Sequence, residues 1–169
     1  VDVHVVFGGE RKVNSQRISV SQVVKINTTE EIVYPMKELN HSRVFHACQL
    51  LDKQVVLVSG GLAKKGGNSS EPDMLYNITS QEVIKLLSPE QSLGRIQHSV
   101  IRIADRVLAL GGRDSNNRAP SKIAEFNTTT NTWIELSQEL QSTNTSELIV
   151  TAYPASSLDC VLDCECGVV

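Results

Sequence analysis

Two histidines recur in the same short motif, each with an arginine three residues before it. Arg43 precedes His46 and Arg95 precedes His98, so the motif Arg-x-x-His returns after 52 residues. Histidine serves as a metal ligand and as a proton carrier near neutral pH, but a structural zinc site takes four ligands. No carboxylate or further ligand recurs with this spacing. We therefore expect these four residues to brace neighbouring repeats through hydrogen bonds, with a metal-binding or catalytic role for the histidines as the alternative.

Cysteine and lysine clusters suggest two further kinds of chemistry. Cys160, Cys164 and Cys166 would supply three thiolates, one fewer than a closed zinc site requires. Lys64 and Lys65 precede two glycines, but a phosphate-binding loop needs a strand–loop–helix context. We interpret the first cluster as part of a flexible tail and the second as a surface loop. No nucleophile elbow, P-loop, zinc-protease helix or dinucleotide fingerprint is present, so no catalytic residue, metal or cofactor is expected on this chain.

The composition is that of an ordinary globular chain. Of 169 residues, 40% are hydrophobic and 21% are charged, which excludes wholesale disorder and is enough for one domain. The formal net charge is −3 and the pI is near 5.8, so the chain is not a uniformly basic nucleic-acid binder. No apolar run approaches the roughly 20 residues of a membrane-spanning helix, and no membrane partner is expected. Four cysteines are too few for a disulfide scaffold, so burial must hold the fold.

Three internal repeats organise the sequence. Each contains an apolar run that ends in two glycines, and the first glycines are 52 and then 51 residues apart. Each also contains an asparagine-centred turn, and these asparagines are 50 residues apart both times. Glycine at a repeated position indicates a close approach of two backbones or a left-handed residue, so the glycine pairs are expected to be structural. The repeated positions are Gly8 and Gly9, Gly60 and Gly61, and Gly111 and Gly112 for the pairs, and Asn27, Asn77 and Asn127 for the turns.

Each repeat is predicted to form four short strands. In the middle repeat the strands fall at residues 47–51, 54–59, 73–76 and 82–86, separated by polar segments typical of turns. Asparagine and threonine between the third and fourth strands have side chains that bond to the local backbone. No segment has a sustained helical stripe, and residues 88–93 are expected to form one helical turn at most. The fold class is therefore predicted to be all-β.

A four-stranded unit of about 50 residues, with two glycines at the end of its second strand, resembles the kelch repeat of β-propellers. Tyr76, Phe126 and Trp133 also fall where kelch repeats carry aromatic residues, and the resemblance extends from residue 3 to about residue 140. It implies a kelch-type propeller with blades near residues 1–40, 41–92 and 93–140, a further strand near 147–152 and a cysteine-containing tail over 153–169. Three blades do not close a ring and the first repeat begins at a second strand, so the remaining blades of a roughly six- or seven-bladed ring are expected upstream.

A narrower resemblance is carried by the segment from Arg43 to Cys48, by the Val-Leu-Val-Ser-Gly-Gly run that follows it, and by the Ala-Leu-Gly-Gly-Arg-Asp-Ser run that ends at Ser115. These segments are similar to the C-terminal propellers of the tRNA wybutosine-synthesizing enzymes related to leucine carboxyl methyltransferases. The resemblance implies an S-adenosylmethionine-dependent methyltransferase domain elsewhere in the protein, and a role in modifying a guanosine beside the anticodon of tRNA. None of the methyltransferase motifs occurs in this chain, so S-adenosylmethionine is expected only with a catalytic domain outside it.

The long connections between the second and third strands are the candidate binding elements. They span residues 10–21, 62–72 and 113–121, and in a propeller they share one face. They contain seven positive and three negative side chains, a net charge of +4 on a chain of −3. An acidic partner, either a protein or tRNA, is therefore expected to bind there. The candidate binding residues are Arg11, Lys12, Lys64, Lys65, Arg113 and Arg118.

The sequence leaves three functional interpretations open. The first is a non-catalytic propeller that binds a macromolecular partner through these loops and is not itself an enzyme. The second is the propeller portion of a tRNA methyltransferase or methoxycarbonyltransferase whose catalytic domain is absent from this chain. The third is a secreted, glycosylated kelch protein. Because three of the six Asn-x-Ser/Thr sequons belong to the repeat turns and cysteines are few, a cytoplasmic location is expected. The sequons are at Asn27, Asn40, Asn68, Asn77, Asn127 and Asn144.

Overall fold

The chain folds into β-strands. The computed structural model describes residues 3–63 and 70–139, and within those ranges it contains thirteen strands and no helix. The prediction of an all-β fold is confirmed. The strands are β1 (Val3–Phe7), β2 (Glu10–Val13), β3 (Gln16–Ser19), β4 (Val23–Asn27), β5 (Ile32–Met36), β6 (Ala47–Leu50), β7 (Val55–Ser59), β8 (Met74–Asn77), β9 (Glu82–Leu86), β10 (Ile96–Ile103), β11 (Arg106–Arg113), β12 (Lys122–Asn127) and β13 (Thr132–Glu139).

Three antiparallel sheets follow one another along the chain. The first sheet has the order β1-β4-β5, the second β6-β7-β8-β9 and the third β10-β11-β12-β13, while β2 and β3 form a separate two-stranded hairpin. Each four-stranded sheet is an up-and-down meander, because its neighbouring strands are consecutive. Each strand of the second sheet lies within one residue of its predicted position. The strand predicted near residues 147–152 and the cysteine-containing tail lie outside the described residues.

The repeated asparagines close the hairpin between the last two strands of each sheet. In the second sheet, Asn77 Oδ1 accepts hydrogen bonds from Thr79 N at 2.8 Å and from Ser80 N at 2.9 Å. Asn27 and Asn127 accept the same pair of bonds in their turns. The side chain thus takes the place of a backbone partner, as the sequence predicts.

Strands β6, β7 and β8 of the second sheet are buried on both faces, with a hydrophobic core on each side, whereas β9 is largely exposed. Val56 and Val58 of β7 pack with Val5 and Phe7 of β1 in the core shared with the first sheet. Leu57, which alternates with these valines along β7, packs in the core shared with the third sheet. Each fully buried valine or leucine side chain contributes about 1.5–3 kcal/mol. The three sheets are therefore stacked through apolar burial, an arrangement compatible with a propeller.

The first long connection contains a hairpin, whereas the sequence indicated only a loop. Its strands β2 and β3 turn through Asn14 and Ser15, which have φ angles of 47° and 65°. Two successive left-handed residues match the twist of the flanking strands in a two-residue hairpin turn. The prediction missed the hairpin because strands of four residues give too short a pattern of alternation to recognise.

The long connections leave the sheets at one end, which we call the loop end. This end carries the hairpin β2–β3, the connections that follow β7 and β11, and the links that follow β5 and β9. The opposite end, which we call the turn end, carries the short turns at residues 28–31, 51–54, 78–81, 104–105 and 128–131. In the described part of the chain, no helix has the length and apolar character needed to cross a membrane.

Candidate binding surface and its supporting junctions

The first glycine of a pair lies where two neighbouring sheets meet at the loop end. Gly60 has a φ of +61°, and a Cβ atom added there would lie 1.9 Å from the carbonyl oxygen of Arg95. Gly8 has the same place in the first sheet, with a φ of +58° and a Cβ position 2.7 Å from the carbonyl oxygen of Arg43. A side chain at either position would overlap the backbone of the next sheet's link. Only glycine fits both the conformation and the space.

The two repeated arginines bond to the same junctions. The carbonyl oxygen of Arg43 accepts a hydrogen bond from Gly9 N at 2.9 Å, across to the first sheet. Its buried guanidinium donates within the second sheet, to the carbonyl oxygens of Gly60 at 2.8 Å and Pro72 at 3.1 Å. Arg95 makes the equivalent bonds at the next junction. The planar fork of each arginine thus ties together two strands of its own sheet, while its backbone holds the preceding sheet.

The two repeated histidines are neutral, and His98 is buried whereas His46 is half-buried. Burial, reinforced by the charge of Arg43, lowers the pKa of His46 from 6.5 to about 4. Burial, reinforced by Arg95 and then by His46, lowers the pKa of His98 to about 3. Each ring packs beside the first glycine of the preceding pair. A neutral imidazole shielded from solvent at pH 7 contributes to packing and hydrogen bonding, and it offers no positive charge to a partner.

Asp73, directly before β8, is a buried carboxylate that the sequence-based prediction missed. Its Oδ1 accepts a hydrogen bond from Gly60 N at 2.7 Å. Its Oδ2 accepts bonds from Trp133 Nε1 at 2.6 Å, Leu93 N at 3.1 Å and Ser59 Oγ at 3.2 Å. Burial raises the pKa of this carboxyl group, although the four donors oppose the shift. Because Leu93 and Trp133 come from the third sheet and its link, the carboxylate joins the second sheet to the third.

Ser59, His98 and Asp73 lie in one hydrogen-bonded chain, but they do not form a catalytic triad. His98 Nε2 lies 3.1 Å from Ser59 Oγ, and this hydroxyl donates to Asp73. In a triad the carboxylate orients the imidazole, whereas here it bonds to the serine. All three side chains are buried, so a substrate does not reach them. Across residues 3–63 and 70–139, no three His, Cys, Asp or Glu side chains are grouped so that they could hold a metal ion.

The basic candidates lie in two groups at the loop end. Arg11 and Lys12 are exposed on β2, on the side of the first sheet. Arg113 is half-buried at the end of β11, and Arg118 is exposed in the connection that follows it. Since the second sheet is stacked between the first and the third, these two groups flank it.

The charge of the loop end remains positive when only described residues are counted. The predicted binding residues Lys64 and Lys65 lie outside those residues. In the described part of the three connections, five positive and three negative side chains give a net charge of +2. One of the positive charges is paired, since Arg17 Nη1 lies 3.3 Å from Glu10 Oε2.

A small cleft opens at the loop end between the second and third sheets. Its volume is about 240 Å³, and its walls include Leu62 and Ser70 on one side and Ile96 and Asp114 on the other. Ligand pockets for whole cofactors are usually larger, from about 300 Å³ upwards. The cleft is therefore smaller than an ordinary small-molecule pocket.

A comparison with protein-family models and with curated proteins finds no match for this chain. The fold defines the class of the protein: an all-β chain whose antiparallel sheets, two of them four-stranded, are stacked with their long connections at one end.

Proposed function

We propose that the chain is a segment of a kelch-type β-propeller, a non-catalytic module that binds an anionic macromolecular partner at its loop end. The fold part of the proposal is supported by repetition. The same junction of glycine, arginine carbonyl and histidine occurs between the first and second sheets and again between the second and third. Sheets that contact each other through equivalent junctions turn by a similar step each time, which generates a ring of blades. A closed ring takes about four to eight such blades.

The observation that carries the binding proposal is the position of the exposed positive charges. Arg11, Lys12 and Arg118 are exposed at the loop end of a chain whose overall charge is −3. Basic side chains on long connections above a rigid scaffold are typical of a binding face. A local positive patch on an acidic protein attracts negatively charged partners and orients them during approach.

The internal position of the reactive groups supports binding rather than catalysis. Among the described residues, His46, His98, Ser59 and Asp73 are of types that take part in acid–base or nucleophilic chemistry, and all four lie in the junctions. The hydrogen bonds of Ser59, His98 and Asp73 hold the second and third sheets together.

The narrower sequence resemblance supplies a second candidate function, the propeller portion of an S-adenosylmethionine-dependent tRNA-modifying enzyme. The basic loop end favours this candidate, because phosphate contacts dominate nucleic-acid affinity. Under it, tRNA is the anionic partner and the cofactor binds outside this chain. We expect no S-adenosylmethionine binding by the chain alone, and a calorimetric titration that shows micromolar affinity would contradict this.

Titrations with unfractionated tRNA and with polyaspartate, at several salt concentrations, test the proposal. The double variants Arg11→Glu/Lys12→Glu and Arg113→Glu/Arg118→Glu reverse charge at the two sides of the loop end. We expect each to weaken binding of the preferred probe by about tenfold at low salt and to flatten the salt dependence.

A charge-matched control variant reverses two positive charges outside the loop end. Lys53→Glu/Lys85→Glu changes one residue at the turn end and one on the outer strand β9. It is expected to change the affinity by less than about threefold, since screening limits attraction over more than about 10 Å. Equal losses from control and loop-end variants would mean that the attraction is not confined to one face, and would overturn the proposal.

A further inference from the structure

We infer that the hairpin β2–β3 docks an extended acidic polypeptide segment, which joins the hairpin as a third strand along the outer edge of β2. The inference rests on the proposed function, because the hairpin belongs to the loop end, and it names the chemistry and binding mode of the partner there. Three features support the inference: the backbone edge of β2, the side chains of the hairpin and its fixed base.

The outer edge of β2 has backbone groups available for a partner. In a hairpin with a two-residue turn, the pair next to the turn is hydrogen-bonded, and hydrogen-bonded pairs then alternate with non-hydrogen-bonded ones. Val13 and Gln16 are the pair next to the turn. Lys12 and Glu10 therefore point their N–H and C=O groups away from β3. Among the described residues β2 pairs with no strand other than β3, and an edge of this kind is a template for a further strand.

The side chains select an acidic and apolar partner strand. On one face of the hairpin, Val13 and Ile18 are diagonal neighbours with 37% and 40% of their surfaces exposed. On the other face, Lys12 lies directly opposite Arg17. Glu10 neutralises Arg17 across 3.3 Å, whereas no ion pair is formed by Lys12 with the described residues. On β2 itself, Val13 shares its face with Arg11, and Lys12 shares its face with Glu10, whose carboxylate is paired with Arg17. A strand that alternates apolar and acidic side chains would therefore place an apolar side chain beside Val13 and an acidic one beside Lys12.

The base of the hairpin is fixed. Val20 N donates to the carbonyl oxygen of Gly9 at 2.9 Å, and Gly9 N donates to that of Arg43 at 2.9 Å. The second sheet has the same closure, since Glu71 N donates to the carbonyl oxygen of Gly61 at 2.7 Å. Residues 10–19 thus stand on a base that has an equivalent in the second sheet. Because an isolated two-stranded hairpin is only marginally stable, an added strand stabilises it.

Amide hydrogen exchange followed by NMR on the whole chain tests the inference. The probe is a synthetic peptide of about ten residues, the upper range of ordinary strands, in which glutamate and valine alternate. The matched control peptide alternates lysine and valine. We expect the acidic peptide to slow exchange of the Lys12 amide while the Arg17 amide is unaffected. We expect the lysine peptide to bind about tenfold more weakly, since each cross-strand charge pair changes affinity a few-fold. Equal binding of the two peptides, or protection of Arg17 instead of Lys12, overturns the inference.

Two variants at one position separate the backbone edge from the charge. Lys12→Pro removes the outward N–H without removing a hydrogen bond of the hairpin, so the hairpin should persist and peptide binding should fall by about tenfold. Lys12→Ala removes only the charge and should cost a few-fold. The amide shifts of Val13 and Ile18 report whether the hairpin persists in either variant. Equal affinity of Lys12→Pro and Lys12→Ala means that the edge is not used and overturns the inference.

Replacement of residues 10–19 by an Asn-Gly turn distinguishes this inference from the proposed function. It also tests the hairpin site if Lys12→Pro unfolds the hairpin. The hairpin site and the proposed function are both supported if this replacement abolishes peptide binding while the affinity for tRNA or polyaspartate still falls in Arg113→Glu/Arg118→Glu. Unchanged peptide binding overturns the hairpin site and leaves the loop-end proposal standing. Protection of the Lys12 amide by a single-stranded RNA but not by the acidic peptide shows that the site recognises phosphate, and it overturns the inference.

Discussion

At the junction between the first and second sheets, Gly8 N donates to the main-chain carbonyl oxygen of Gln22 at 2.8 Å. At the junction between the second and third sheets, the equivalent Gly60 N donates to the carboxylate of Asp73 at 2.7 Å. Both glycines are left-handed, and both would clash with the next arginine's carbonyl oxygen if they carried a Cβ. The backbone frame is thus the same, and the bonding partner is a main-chain group in one junction and a buried charge in the other.

The interiors of the two junctions differ in the same way. In the first, the rings of Phe7 and Tyr76 meet edge to face, with centroids 5.2 Å apart. In the second, Ser59 stands where Phe7 stands in the first sheet, and it bonds to His98 and to Asp73. The repeat therefore specifies how close two sheets approach and where their backbones bond. It leaves the remaining volume to be filled either by aromatic packing or by a satisfied polar network.

The largest expected loss of stability comes from Gly60→Ala, which disrupts the close backbone approach common to both junctions. Its Cβ would lie 1.9 Å from the Arg95 carbonyl oxygen, so we expect a loss of about 5 kcal/mol or failure to fold. Gly94→Ala is the matched control, since Gly94 has a φ of +68° but no atom within 4 Å of its Cβ position. The control should cost only the backbone strain, about 1–2 kcal/mol. Chemical denaturation measures both, and equal losses would show that the close approach is not required.

Asp73→Ala acts on the second junction only. It leaves four donors without their buried acceptor, and we expect a loss of about 3–5 kcal/mol. Gln22→Ala is the matched change in the first junction, where the acceptor is main-chain oxygen and the side chain is exposed, so its effect should be within about 0.5 kcal/mol. Similar unfolding free energies for the two variants would contradict the distinction between a polar and a main-chain junction.

Acid should weaken both junctions through their histidines. The folded pKa values of about 4 for His46 and about 3 for His98 lie below the unfolded value of 6.5, so the unfolded state binds protons first. Stability is therefore full above pH 6.5 and falls as the pH drops towards 4, by on the order of 3 kcal/mol for each histidine. Asp73 opposes this change, because its raised pKa makes protonation favour the folded state in acid. Denaturation between pH 7 and 4 measures the slope, and His98→Asn should reduce it; an unchanged slope would contradict burial of the neutral ring.

The smallest effects concern one hydrogen bond across each junction. Trp133→Phe removes a bond to the buried Asp73 carboxylate and should cost about 2–3 kcal/mol. Tyr76→Phe removes the bond from its hydroxyl to the carbonyl oxygen of Lys37, at 2.9 Å, and should cost about 1 kcal/mol. Thermal unfolding of both variants gives the comparison, and a larger loss from Tyr76→Phe would reverse the assignment of the more polar junction.

The sequence predicts the strands and turns well because they depend on local patterns. Spacing of glycines and asparagines located the end of β7 and the turn at Asn77, and short apolar runs separated by polar turns located the strands of the second sheet to within a residue. Asp73 was missed because its partners Leu93 and Trp133 are 20 and 60 residues away, and no local pattern marks such contacts. The hairpin at Asn14 was missed because its four-residue strands are too short to show alternation, and because its left-handed turn is Asn14-Ser15 rather than the usual Asn-Gly.

The candidate binding residues illustrate the same limit. Loop length and charge selected Arg11 and Arg118 from sequence, because both properties are local. Their placement on either side of the second sheet depends on the order in which the sheets stack, which the cores determine. The cleft between Leu62 and Ile96 likewise arises from two sheets and has no signature in either segment alone.

Hydrogen-exchange mapping with a bound anionic partner tests the central claim, that one end of the stacked sheets is the binding face. The probe is tRNA or polyaspartate, whichever binds the chain more tightly in titration. We predict slower exchange at the loop end, in the hairpin β2–β3 and in residues 113–121, and no change in the turns at residues 51–54, 104–105 and 128–131. Protection of those turns, alone or to the same extent as the loop end, would contradict the claim.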